Sequence, residues 1–249
     1  LTNVIALWAG AHHALAVRVD GSVWAWGDNG QGQLGDGTTT SRTTPVRVQG
    51  LLGVKAVAGG SGHSLALRED GTVWAWGANA SGQLGDGTFY ASRVPVLLPS
   101  PVFTDVTAIA AGGVHSLALR EDGTAWAWGD NTSGQLGDGS HTASATPVRV
   151  LGLENVTDLA AGQSHSLARL RNGTVWAWGD NTFGQLGDGT TTPAALAAQV
   201  PELTDVTAIA AGGSHSLALK SDGTIGTWGG NEYGQLGDGS PGFRVVVLQ

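Results

Sequence analysis

The sequence predicts an all-β fold, a β-propeller of five blades with four antiparallel strands each, and three observations lead there. The hexapeptide Gly-Gln-Leu-Gly-Asp-Gly begins at Gly32, Gly82, Gly134, Gly184 and Gly234, at intervals of 50, 52, 50 and 50 residues. Two further ladders keep the same step: His13, His63, His115, His165 and His215, and Trp26, Trp76, Trp128, Trp178 and Trp228. Between these markers lie short apolar runs bounded by Gly and Asp-Gly turns, with no helical period, which excludes α/β and TIM-barrel folds.

The third copy shows the elements in order. Val106 to Ala110 is a small-residue apolar run ending at Gly112-Gly113. Ser116 to Arg120 is a second strand, and it leads to Glu121-Asp122-Gly123, where Asp-Gly supplies the positive φ of a tight hairpin. Trp126-Ala127-Trp128-Gly129 is the third strand; residues two apart point the same way, so both indoles share a face. The first indole of each pair is Trp24, Trp74, Trp126 and Trp176, and Gly226 replaces it in the fifth copy. A long loop carries the hexapeptide, and Pro147 to Val150 is the fourth strand, with Pro at its first residue or on an edge.

A lone four-stranded sheet of this size cannot bury both faces, so the copies must stack. A period near 50 residues suits propeller blades and exceeds the coils of most β-helices. Small residues in the first strand suit crowding around an axis, and the Trp pairs would fill the wider gap farther out. The repeats divide the chain at approximately 1–50, 51–102, 103–152, 153–202 and 203–249, all within one domain, 1–249. Five repeats leave three arrangements open: a closed ring, part of a larger ring, or a ring completed by another chain. Closure would put Val4 to Trp8 and Arg244 to Leu248 in one blade or in adjoining blades, and predicts a monomer.

Composition narrows the function classes. Net charge is −8, and no Lys/Arg run occurs, so neither nucleic-acid phosphates nor an anionic membrane surface finds a footing. Without cysteine there are no disulfides, thiolate chemistry or Cys-based zinc sites. No apolar run reaches the length of a membrane-spanning helix. With no Met at all, the chain reads as a processed or excised domain, for which a secreted or cell-surface bacterial setting is favoured over the cytoplasm.

The blocks Ala-Gly-Gly-x-His-Ser-Leu-Ala-Leu, Asp-Gly-Thr-Val-Trp-Ala-Trp-Gly and Asn-x-x-Gly-Gln-Leu-Gly, in that order across the whole chain, resemble the repeat of the regulator of chromosome condensation family. That resemblance implies a propeller, usually of seven blades, that serves as a platform for protein partners. It also implies nucleotide exchange and nucleosome docking as activities of the founding member. The repeat spacing leaves no room for the exchange wedge, however, and the acidic chain offers no basic tail. The Ala-Trp-Gly and His-Ser-Leu-Ala-Leu blocks are more distantly similar to propeller-type β-lactamase inhibitor proteins, which bind their target through loops on one face.

No single residue stands out as catalytic, because Ser, His and Asp recur together; the chain is expected to be no enzyme and to need no cofactor or metal. The histidine ladder and the second Trp ladder are read as structural. Asp36 and its counterparts are read as turn formers, since their spacing matches no EF-hand loop. The informative positions are those where the copies differ. An antiparallel meander puts the Gly-Gly-x-His turns and the hexapeptide loops on one rim and the Asp-Gly hairpins on the other. Phe89, Tyr90, Phe183 and Tyr233 fall in the variable loops of the first rim and are the candidate partner-binding residues. The expected function is a protein-binding or scaffold module whose partner is a protein; an enzyme regulator and a structural unit of a larger assembly are the alternatives.

Overall fold

A computed structural model describes residues 1–99 and 103–248, so the repeat boundary placed at residue 102 lies outside the described residues. Each repeat builds one antiparallel sheet whose strands pair in chain order. The first sheet holds β1 (Val4–Ala9), β2 (His13–Arg18), β3 (Val23–Gly27) and β4 (Arg42–Arg47). The second holds β5 (Val54–Gly59), β6 (His63–Arg68), β7 (Val73–Gly77) and β8 (Ser92–Leu97). The third holds β9 (Val106–Ala111), β10 (His115–Arg120), β11 (Ala125–Gly129) and β12 (Ser144–Arg149). The fourth holds β13 (Val156–Ala161), β14 (His165–Leu170), β15 (Val175–Gly179) and β16 (Ala194–Gln199). The fifth holds β17 (Val206–Ala211), β18 (His215–Lys220), β19 (Ile225–Gly229) and β20 (Arg244–Leu248).

First strands of consecutive sheets touch one another, β1 to β5, β5 to β9, β9 to β13 and β13 to β17. The small side chains of these strands are what let them crowd around the axis. The outer strand differs from the sequence expectation: in the third blade it starts at Ser144, not Pro147. The register shifts between Ala127 and Gly129, which leaves Pro147 opposite an irregularity on an edge strand, where its missing N–H costs no ladder bond.

Four apolar clusters fill the joints between consecutive blades. In the first joint Leu15, Val17 and Val23 of one blade meet Val54, Val57 and Trp76 of the next. The segment linking blades plugs the same gap from below: Leu51, Leu153 and Leu203 are buried, and Phe103 packs edge-on against Trp126 and Trp128 at 5.7 Å each. The second Trp of each pair is fully buried at Trp76, Trp128, Trp178 and Trp228. The first of each pair is only half-buried, being farther from the axis.

Among the described residues no cluster joins the fifth blade to the first. Leu7 on β1 is 68% exposed, whereas its counterpart Val57 is 5% exposed. At the other end Leu219 and Ile225 are exposed, although their counterparts Leu67 and Val73 are buried. The five blades therefore form an open series, with the chain's two ends in its two terminal blades. Of the arrangements that five repeats leave open, a closed five-bladed ring is not the one seen: among the described residues no apolar cluster forms the joint that closure needs, and its two halves face solvent.

The two kinds of Trp position give an expected outcome. Trp76→Ala empties a sealed joint and lowers stability by about 3–5 kcal/mol, as truncation of a buried large aromatic does. Trp26→Ala, on the free face of the first blade, costs less than half as much. Urea unfolding midpoints of the two variants, measured side by side, check the difference.

Candidate functional site

Each joint closes on one main-chain carbonyl. The Gln33 carbonyl accepts from Ser64 Oγ at 2.8 Å and from Trp76 Nε1 at 2.8 Å, both in the following blade. Ser64 Oγ lies 2.8 Å from His13 Nε2. The serine has spent its single proton on Gln33, so His13 Nε2 must donate, which leaves Nδ1 bare. The same chain recurs at His63, Ser116, Gln83 and Trp128, with distances of 2.9–3.0 Å. It recurs again at His115, Ser166, Gln135 and Trp178, and at His165, Ser216, Gln185 and Trp228.

The four enclosed histidines are neutral at pH 7. Burial pulls His13 and His165 down to about 4, and His63 and His115 down to about 3. No hydrogen bond reaches Nδ1 in any of the four. Each His–Ser pair therefore lacks the carboxylate that would orient a catalytic imidazole, and it lies sealed between blades.

The hexapeptide loop is built around a buried asparagine. Asn29 Nδ2 donates to Asp36 Oδ1 at 3.2 Å, to the Thr38 carbonyl at 3.1 Å and to the Thr40 carbonyl at 3.1 Å. Its Oδ1 accepts from the Leu34 N–H at 3.0 Å. Asn79, Asn131, Asn181 and Asn231 repeat the core of this arrangement. Burial alone would raise Asp36, but hydrogen bonds from Thr38 and Arg42 outweigh it and hold the carboxyl below its ordinary value. The aspartates are thus taken up in forming turns, and no group of three or more potential metal ligands occurs among the described residues.

The loop also explains its own glycines. Gly85 has φ +71°, and a Cβ there would come within 2.8 Å of the Trp128 indole of the next blade. Gly187 stands in the same relation to Trp228 at 2.9 Å. Only a residue without a side chain allows both the turn and the approach. The loop then lies on the next blade's outer strand, through Gly87 N–H to the Ala145 carbonyl and Gly189 N–H to the Val245 carbonyl.

The variable residues project from this frame. Asp28 N–H donates to the His12 carbonyl at 2.9 Å, which puts the Gly-rich turn and the hexapeptide loop on one rim, as the meander requires. Phe89, Tyr90, Phe183 and Tyr233 are all exposed, the two tyrosines at 82% and 86%. Phe183 is brought against Phe243 of the fifth blade, edge-on at 6.5 Å, because the fourth loop rests on β20. Phe89 and Tyr90 stand on the second blade, with the third blade's loop between them and Phe183. The four candidates thus lie on the loops of three blades, the second, the fourth and the fifth.

These joints and loops match the RCC1-like domain over residues 1–246. The chain belongs to the RCC1-like domain family. Among its relatives, the human E3 ubiquitin-protein ligase HERC2 is 31% identical over 154 residues, 60% of this chain and 3% of the relative. The Arabidopsis thaliana ultraviolet-B receptor UVR8 is 33% identical over 144 residues, 57% of this chain and 33% of the relative. The chain thus spans a small part of the curated relatives it matches. The structure of human WBSCR16 superposes with a TM-score of 0.88 at 28% identity, over 98% of this chain and 66% of that one. Saccharomyces cerevisiae Prp20p shares the fold with a TM-score of 0.72 at 22% identity, over 98% of this chain and 76% of that one.

Sequence reasoning singled out the His and Trp ladders of this RCC1-like chain but passed over Ser64, Ser116, Ser166 and Ser216, and the asparagines. Both have the same signal, repetition at the common step. Asn79 and Asn131, which also begin Asn-x-Ser sequons, are buried in the folded chain.

The histidines predict an acid-sensitive fold. Their folded values lie below the unfolded value near 6.5, so protons bind the unfolded chain first as pH falls. Stability is full above about pH 6.5 and declines toward about pH 4, by about 1.4 kcal/mol per pH unit for each fully neutral buried histidine. Urea midpoints between pH 7 and pH 4.5 check this, and His115→Gln should flatten the slope by about one group's share.

Proposed function

We propose that the chain is a non-enzymatic protein-binding module that presents its hexapeptide-loop rim to a partner with a basic surface. The observation that carries this reading is the contrast within each loop. Asn29 and its counterparts lock the base of every loop in the same buried hydrogen bonds, whereas the aromatic residues above it differ from blade to blade and are exposed. A fixed base holding variable aromatic anchors loses little conformational entropy on binding.

Charge supports the same rim. Asp86, Asp130, Asp138, Asp180 and Asp188 belong to it, and two of its arginines are already paired, Arg42 with Asp36 at 2.8 Å and Arg244 with Asp238 at 2.6 Å. The rim is therefore acidic, which favours a partner presenting Lys and Arg. Prp20p, whose binding properties toward Gsp1p and histones have been described, uses the same fold; histones are the natural basic probe for this chain.

Immobilised core histones should retain the wild-type chain, with association that slows as salt is raised. A variant carrying Phe89→Ala, Tyr90→Ala, Phe183→Ala and Tyr233→Ala should lose about 2 kcal/mol or more of binding energy, roughly thirtyfold in affinity. Circular dichroism establishes beforehand that the variant is folded. Equal retention of both would move binding away from the aromatic groups, to the hairpin rim.

A further inference from the structure

In the first three blades the second strand ends in an arginine that fastens the hairpin rim. Arg18, Arg68 and Arg120 donate through Nε to the carbonyls of Thr2, Leu52 and Thr104, in the segment entering the blade, at 2.9, 2.9 and 3.0 Å. Each also pairs with the hairpin aspartate two residues on, Asp20, Asp70 or Asp122. The fourth blade has Leu170 at this place, and Arg171-Asn172 where the second and third hairpins have Glu69-Asp70 and Glu121-Asp122. Asn172 still forms the turn, accepting from the Thr174 N–H at 3.1 Å and from its Oγ1 at 2.8 Å, but it carries no charge. Glu154 stands where Thr2, Leu52 and Thr104 stand, and a leucine offers its carbonyl no donor. The space that a guanidinium fills elsewhere is open here: two adjoining cavities, of about 370 and 430 Å³, share Leu170 and Glu154 as walls. We propose that this notch on the hairpin rim of the fourth blade binds an acidic peptide segment, seating one of its apolar side chains on Leu170 and Leu151 between Arg149 and Arg171.

Charge and shape specify that occupant. On a chain of net charge −8, this hairpin carries an arginine and no acid. Arg149 and Arg171 are exposed, and neither makes an ion pair among the described residues. Arg149 has Asp122 of the third hairpin within Coulombic range, and Glu154 is the acid that lines the cavities. Arg169 lies opposite Asp158 across the β13–β14 ladder and lines neither cavity. Two guanidinium groups at the edge of an apolar floor suit carboxylates, each of which an arginine can grip through two parallel bonds. The floor is Leu170, half-buried against the third joint's cluster, with Leu151 47% exposed and Leu153 buried. It takes an apolar side chain, which a nucleic-acid backbone does not have. The Glu154 carbonyl can accept a main-chain N–H from an extended segment in place of the arginine Nε that its counterparts accept. This rim lies opposite the hexapeptide loops, so the site stands apart from the aromatic groups and takes a partner of the opposite charge.

The test uses the full chain and a fluorescein-labelled peptide, Ser-Glu-Asp-Leu-Leu-Asp-Glu-Ser, followed by fluorescence anisotropy. Saturable binding is expected, weakening as salt is raised because both arginines face solvent. Leu170→Arg, Arg171→Glu and Asn172→Asp together rebuild the hairpin of the second and third blades, which fills the notch and reverses its charge. Binding should then weaken by about tenfold or more. Circular dichroism checks the fold of this variant. Arg171→Ser, which copies the fifth hairpin and leaves the floor intact, should by itself weaken binding about threefold. A peptide with both leucines replaced by serine should bind about fivefold more weakly or worse. Absence of saturable binding overturns the proposal, as does equal binding by the triple variant and Arg171→Ser, or equal binding of the leucine-free peptide. An oligothymidylate of equal charge that competes as well as the peptide overturns it too, since the rim would then be a general polyanion surface.

Discussion

A carbonyl oxygen has two lone pairs, and the packing of this protein depends on filling both at Gln33, Gln83, Gln135 and Gln185. The serine and the indole that fill them come from the next blade, so every such carbonyl is a point where two sheets are registered on one another. Apolar burial supplies most of the free energy that holds the blades together, but it does not fix how one sheet sits against another. The directional bonds do that, and they explain why the indole of each joint is Trp, with its single donor, and not Phe. They also require the glycine after the Gln-Leu pair, because the same indole that reaches the carbonyl passes over Gly35, Gly85, Gly137 and Gly187.

The histidine completes this arrangement and makes it sensitive to acid. Its role is to occupy the serine oxygen with a donor so that the hydroxyl proton points at the carbonyl. An imidazolium would also need a partner for Nδ1, which the joint does not provide. The ladder therefore works only in the neutral state, and burial enforces it. A His and a Ser in contact invite a catalytic reading; here the contact is spent on holding blades together.

The loop rim divides the work between base and tip. Asparagine satisfies both ends of its amide within the loop, so the base is rigid without help from a partner. Tips such as Phe89-Tyr90 and Phe183 are thereby freed from a folding role and can vary from copy to copy. The pairing of Phe183 with Phe243 shows that tips are also placed by the neighbouring blade, since one residue belongs to the fourth loop and the other to the fifth.

The repeat step, the all-β character, the turn chemistry of Asp-Gly and the recurrence of the His and Trp ladders were legible in the sequence, because each is a local or periodic property. Period-two alternation puts Trp126 and Trp128 on one face whatever lies opposite. The exposure of Phe89, Tyr90, Phe183 and Tyr233 was legible too, through their placement in variable loops. What lies across a joint was not. That Ser64 answers His13 and that Gln33 meets the next blade through its main chain depend on contacts between segments far apart in sequence, whereas Asn79 becomes a buried loop centre through contacts five to eleven residues away that no periodic pattern announces. Closure was beyond reach for the same reason. The first and fifth repeats depart from the rest at single positions such as Ala14 and Gly226, but only the three-dimensional arrangement shows Leu7 and Leu219 facing solvent where their counterparts are buried, because burial belongs to the pair of surfaces and not to either strand.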